Sequence, residues 1–219
     1  MTTILLYSDF RPNISILVDD QMLRVLAGTA CRIVYIPSDS DTKRRYFSKV
    51  VDQYAKLGIT DVHYFDLGEE FDAASIPTLL ACDLIHLSGG DPVRFMELMK
   101  QRSFSEHLRA FLKRGGVLMG VSAGAMILSR SLGLLAIDEG PKSKSGRRDS
   151  KSSPKNSTLK FLDFEFYPHF KSDEQTSKHL AHYARAQKTV VYACDDDAGL
   201  MVQNGQVTSI GQVTRFEPW

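Results

Sequence analysis

The sequence predicts an α/β fold: a mostly parallel central sheet with helices on both faces, closed at the C-terminal end by a β-hairpin. Three observations carry this expectation. Short apolar, β-branched runs alternate with helical stretches along most of the chain. The run Val117 to Val121 passes directly into the helical Ala123 to Leu128 through Ser122, with Gly120 and Gly124 on either side. An Asn204-Gly205 pair separates two β-type runs near the end, the pattern of a two-residue hairpin turn.

In chain order, Ile4 to Tyr7 is the first strand, and Asn13 to Leu26 follows as a helix with Ile16, Leu17, Leu23 and Leu26 on one stripe. Cys31 to Ile36 is the second strand; Lys43 to Leu57 then reads as a helix stopped by Gly58. Val62 to Phe65 is a third strand, Ala73 to Leu80 a short helix, and Leu84 to Leu87 a fourth strand running into Ser88-Gly89-Gly90-Asp91. Helices are expected from Phe95 and over Phe104 to Leu112, before Gly115-Gly116 turns the chain into the strand that ends at Ser122. Beyond it, Lys160 to Tyr167 reads as an aromatic-rich strand delivering Pro168-His169-Phe170, and Asp173 to Gln187 as a polar helix.

Composition bounds the function. At 219 residues the chain is expected to form one domain, residues 1–219, with a sizeable core. With 27 Lys+Arg against 26 Asp+Glu, the net charge of +1 gives no global attraction to nucleic acid or membrane. The N-terminus lacks the basic and apolar regions of a signal peptide, and no apolar run reaches the length of a membrane span, so a cytoplasmic protein is expected. The three cysteines, Cys31, Cys82 and Cys194, are too scattered for a disulfide framework or a metal site; no metal and no cofactor are expected. Residues 140–157 hold six Lys/Arg and six Ser with no large apolar side chain, which predicts a mobile basic surface loop.

The chemistry centres on Gly120-Val-Ser122-Ala-Gly124, which fits the G-x-S-x-G nucleophile elbow. There the serine hydroxyl stands at the carboxyl end of a strand, and the amide of Ala123 is aimed at the place where an oxyanion forms. A serine so placed needs a base and an orienting acid. Among six histidines, His169 stands apart: it follows Pro168 at a strand end, where ligands bind in open α/β folds. Asp138 and Glu139 are the first candidates for the acid, with Asp138 ahead, and Asp195, Asp196 and Asp197 come next. Gly89 and Gly90, with Asp91 beside them, supply a loop whose backbone amides can approach a substrate oxygen.

Leu87 to Phe95, Gly120 to Ala125 and Tyr167 to Phe170 together resemble the dipeptidase E (aspartyl dipeptidase) family of serine peptidases, to which cyanophycinase is related. The resemblance implies a fold similar to class I glutamine amidotransferases, with Ser122 as nucleophile, His169 as base, and Gly90 and Ala123 as oxyanion donors. The function it implies is hydrolysis of small peptides by a serine exopeptidase through an acyl-enzyme, with a homodimer allowed. Asp91 stands where that family commonly has Asn, and its charge disfavours an acidic substrate side chain nearby. The alternatives are another serine amidohydrolase or esterase on the same scaffold, and a non-catalytic binding or regulatory module.

Overall fold

The computed structural model describes residues 2–11, 16–26, 28, 30–138 and 157–219. Seven strands form the main sheet: β1 (Thr3–Tyr7), β2 (Arg32–Ile36), β3 (Asp61–Tyr64), β4 (Leu84–Leu87), β5 (Val117–Val121), β8 (Gly199–Gln203) and β9 (Gln206–Ile210). Their order is β3-β2-β4-β5-β1-β8-β9. The five N-terminal strands pair in parallel, and β8 and β9 are antiparallel at one edge. The β8–β9 hairpin turns at Asn204 (φ 49°) and Gly205 (φ 85°), both left-handed as a type I′ turn requires.

Helices cover both faces, as expected. Alternate residues of β1 face opposite ways: Leu5 and Tyr7 pack with Val18 and Met22 of α1 (Ile16–Val25) and Tyr54 of α2 (Arg45–Lys56). Ile4 and Leu6 belong to the second face, with α3 (Ile76–Leu80), α4 (Pro92–Gln101) and α5 (Phe104–Lys113). Among the described residues, no helix is long and apolar enough to cross a membrane.

Two expectations change. A second, three-stranded sheet exists, ordered β10-β7-β6, from β6 (Glu165–Tyr167), β7 (Val191–Cys194) and β10 (Val213–Phe216). These strands pair with one another, β6 parallel to β7 and β10 antiparallel to it. They pack on α8 (Glu174–Gln187) through Leu180, Ala184 and Val191. The strand predicted from Lys160 shortens to Glu165–Tyr167, because the amides of Leu159, Phe161 and Leu162 donate to carbonyls of Ile127 and Leu128 at 2.8 to 3.1 Å instead of to a neighbouring strand. Glu139 and, apart from Ser157, the predicted basic loop 140–157 lie outside the described residues.

Candidate active site

Ser122 joins β5 to the one-turn helix α6 (Ala123–Met126), with φ 47° and ψ −108°, a backbone conformation an L-residue adopts only under constraint. The constraint is visible on both sides. Ser122 N donates to Tyr7 O of β1 at 2.8 Å, and Gly124 N donates to Ser88 O at 3.0 Å. A Cβ on Gly120 would lie 2.6 Å from Gly124 C, and one on Gly124 would lie 2.2 Å from Leu87 O. The glycines of the elbow are therefore required by close packing of turn against turn and against β4, not by a positive φ.

His169 is the second component. Its ring Nε2 lies 2.9 Å from Ser122 Oγ, and its Nδ1 lies 2.6 Å from Asp196 Oδ1. A carboxylate only accepts, so Nδ1 carries the proton it donates to Asp196, and Nε2 is left to accept from the serine hydroxyl. The backbone of His169 is held at φ 58° by its amide, which donates to Ser8 Oγ at 2.7 Å; that hydroxyl in turn donates to Cys194 O at 3.2 Å.

Both ring nitrogens of His169 are thus engaged, which corrects the order of acids read from the sequence. The residue against the imidazole is Asp196, one of the second-ranked group, while Glu139 lies outside the described residues. Asp138 closes the short helix α7 (Leu135–Asp138). The reason lies in strand pairing: β6 and β7 are parallel neighbours with Tyr167 opposite Ala193, so the residues just past each strand emerge side by side. Asp196 is also met by Arg11, whose Nη2 lies 3.5 Å from Asp196 Oδ2 while its Nε pairs with Asp9. Asp9, His169 and Asp196 bring ligand-type atoms within 4.8 Å of one another, but the Arg11 guanidinium already sits as the cation between the two carboxylates.

The glycine loop after β4 completes the arrangement. The carbonyl of Gly89 accepts from Ser38 Oγ at 3.0 Å and from Ser88 Oγ at 2.8 Å. Pinning that oxygen fixes the Gly89–Gly90 peptide plane, whose N–H points the opposite way. Gly90 has φ 131°, and a Cβ there would strike Ser38 Oγ at 2.1 Å. Gly89 borders Ser122 directly, a Cβ on it falling 3.6 Å from Ser122 Cβ. The amides of Gly90 and Ala123 donate to no acceptor among the described residues. Asp91, expected from the sequence beside the substrate, caps α4, the helix that follows the loop. Its Oδ1 accepts from Val93 N at 2.8 Å and Arg94 N at 3.1 Å.

Two hollows meet at Ser122 and His169: one of about 860 Å³ toward α2 and the loops after β1 and β2, and one of about 280 Å³ toward Met126, Leu135 and Pro168. A serine-histidine-aspartate relay on a strained strand-to-helix turn, with free backbone amides beside it, agrees with what the sequence matches. Residues 8–210 match the model of peptidase family S51.

The chain belongs to peptidase family S51.

Membership makes the protein a peptidase. The uncharacterized peptidase YgaJ of Bacillus subtilis (strain 168) is 26% identical over 178 residues, covering 80% of this chain and 71% of YgaJ. Among solved structures, a candidate peptidase E protein from Listeria monocytogenes EGD-e superposes with a TM-score of 0.71 at 19% identity, covering 95% of this chain and 98% of its own. A peptidase from an acI-B1 Actinobacterium gives a TM-score of 0.69 at 16% identity, with 100% and 92% covered. At these identities the two structures support the fold.

Three residues of this S51 site carried no distinguishing mark in the sequence. Ser8 positions His169, Arg11 holds Asp196, and Ser38 pins Gly89. Each lies in a polar turn just beyond β1 or β2, where serine and charged residues are common whatever the function.

Proposed function

We propose that this S51 peptidase is a serine exopeptidase acting on small peptides through an acyl-enzyme on Ser122. The observation that carries the reading is the continuous relay from Asp196 through His169 to Ser122, with spacings of 2.6 and 2.9 Å. In it, His169 Nε2 takes the Ser122 proton as Oγ attacks the scissile carbonyl. The amides of Gly90 and Ala123 receive the oxyanion, where fixed donors contribute on the order of 3 kcal/mol each. The imidazolium, steadied by Asp196, passes its proton to the leaving amine, and the C–N bond breaks. Water, deprotonated by His169, then attacks the ester and releases Ser122. The placement of Ser122 between two hollows and the likeness to peptidase E proteins favour short peptides as substrates.

Replacing Ser122 by Ala removes the nucleophile from a site otherwise intact. Turnover of a short-peptide mixture, followed by release of free amino groups, is expected to fall by at least about 10⁴-fold with an unchanged melting temperature. Activity within tenfold of wild type would sink the assignment.

A further inference from the structure

The larger hollow has a floor that the hydrolytic steps leave unused. Phe10, Tyr35 and His86 form it, only 9%, 4% and 2% exposed. Their rings meet edge to face, with centroids 5.2 Å apart for Phe10 and His86 and 5.1 Å for Tyr35 and His86. Tyr54 Oη lies 2.9 Å from His86 Nδ1, and among the described residues His86 Nε2 has no partner. Burial presses the His86 pKa down to about 3, so the ring is neutral and the floor uncharged at neutral pH.

Several charged groups in the walls are engaged with one another or with backbone. Arg11 is bound to Asp9 and Asp196, Asp39 pairs with Arg94 at 3.2 Å, and Asp41 accepts from the amides of Arg45, Tyr46 and Phe47. Lys49 and Lys56 are exposed on α2 with Asp52 between them in sequence. Arg11, the guanidinium among the lining residues, is engaged with both Asp9 and Asp196, and the buried rings of Phe10, Tyr35 and His86 give the hollow an uncharged aromatic floor.

Resting on the serine-peptidase reading, we propose that the larger hollow is the specificity subsite for a bulky aromatic side chain flanking the scissile bond, with a small residue across the bond in the smaller hollow. The hollow is continuous with the reacting centre, since Ser122 and His169 are part of its wall. It selects through apolar area and edge-to-face contact, terms that an aspartyl or alanyl side chain cannot supply. Val50 of α2 lines the hollow and is half-buried, so a larger side chain there would occupy the space.

Binding to the inactive Ser122→Ala protein tests this without relying on turnover. Titration calorimetry with the dipeptides Phe-Ala, Ala-Phe, Asp-Ala and Ala-Ala is expected to show one phenylalanyl dipeptide binding at least about tenfold tighter than Asp-Ala and Ala-Ala. Adding Val50→Trp in the same background is expected to erase that preference. Tyr46→Ala, at an exposed wall position that tolerates truncation, is expected to lower it a few-fold. Equal affinities, tighter Asp-Ala binding, no binding of any dipeptide, or a preference unmoved by both wall variants would overturn the subsite. Fluorophosphonate labelling of wild type is read separately. Labelling at Ser122 with no aromatic preference removes the subsite and keeps the serine reading. Aromatic preference without labelling removes the serine reading and keeps the subsite.

Discussion

Ser122, His169 and Asp196 each depend on a neighbour that does no chemistry. Tyr7 O holds the Ser122 amide, Ser8 Oγ holds the His169 amide, and Arg11 reaches Asp196. Because the imidazole has its Nδ1 on Asp196, Asp196→Asn sets against it an amide that can donate as well as accept, so the tautomer with Nε2 free to accept is no longer fixed. We expect kcat to fall by about 10² to 10⁴-fold with KM little changed. Asp138→Asn is expected to leave both within a few-fold, and steady-state kinetics of the two variants side by side decide between the acids. This is also where the sequence was least legible. Ser122 and His169 could be read because glycine spacing and a strand-end Pro-His-Phe motif are local signals. Asp196 sits in a run of three acids, and what selects it is the parallel pairing of β6 with β7, a contact no local pattern encodes.

At the scale of elements, the elbow is set by how tightly β4, β5 and α6 approach. Gly124 lies so near β4 that a methyl group would come within 2.2 Å of Leu87 O and 2.7 Å of Leu87 C, a collision with backbone that no side-chain rotation relieves. Gly124→Ala is therefore expected to cost about 1 to 3 kcal/mol of stability and to displace Ser122 from His169. Urea denaturation should record the first effect and kcat the second; wild-type values for both would contradict the packing account. Elements built on local pattern were legible: the strands β1 to β5, the helices between them and the Asn204-Gly205 hairpin all follow from periodicity and turn chemistry. The segment before β6 was not, because its aromatic residues look like a strand while its amides are bonded to the end of the elbow helix.

Across the whole molecule, the buried His86 couples stability to pH. Its folded pKa of about 3 lies below the ordinary histidine value, so between about pH 6.5 and 3 the unfolded chain binds the proton and the folded protein does not. Its contribution is complete above about pH 6.5 and is lost as pH falls, by about 1.4 kcal/mol per unit. Asp19 acts in the opposite sense: burial, with Asp20 nearby, raises its pKa to about 6, so it favours the folded state at low pH. Comparing wild type with His86→Phe cancels the carboxylate contribution. The stability difference in urea unfolding should fall from pH 6.5 to 4, and a flat difference would show that His86 titrates freely. The parallel sheet with helices on both faces was legible at this scale too. The second sheet was not, because its three strands are separated in sequence by α8 and by the β8–β9 hairpin, so no local pattern shows that they pair.

The central claim, acyl transfer at Ser122, is tested most directly by intact-mass spectrometry and peptide mapping after brief exposure to a fluorophosphonate. The expected result is one adduct per chain, mapped to Ser122 and lost in His169→Ala. An adduct elsewhere, or none on the native protein while denatured controls behave as usual, would contradict it.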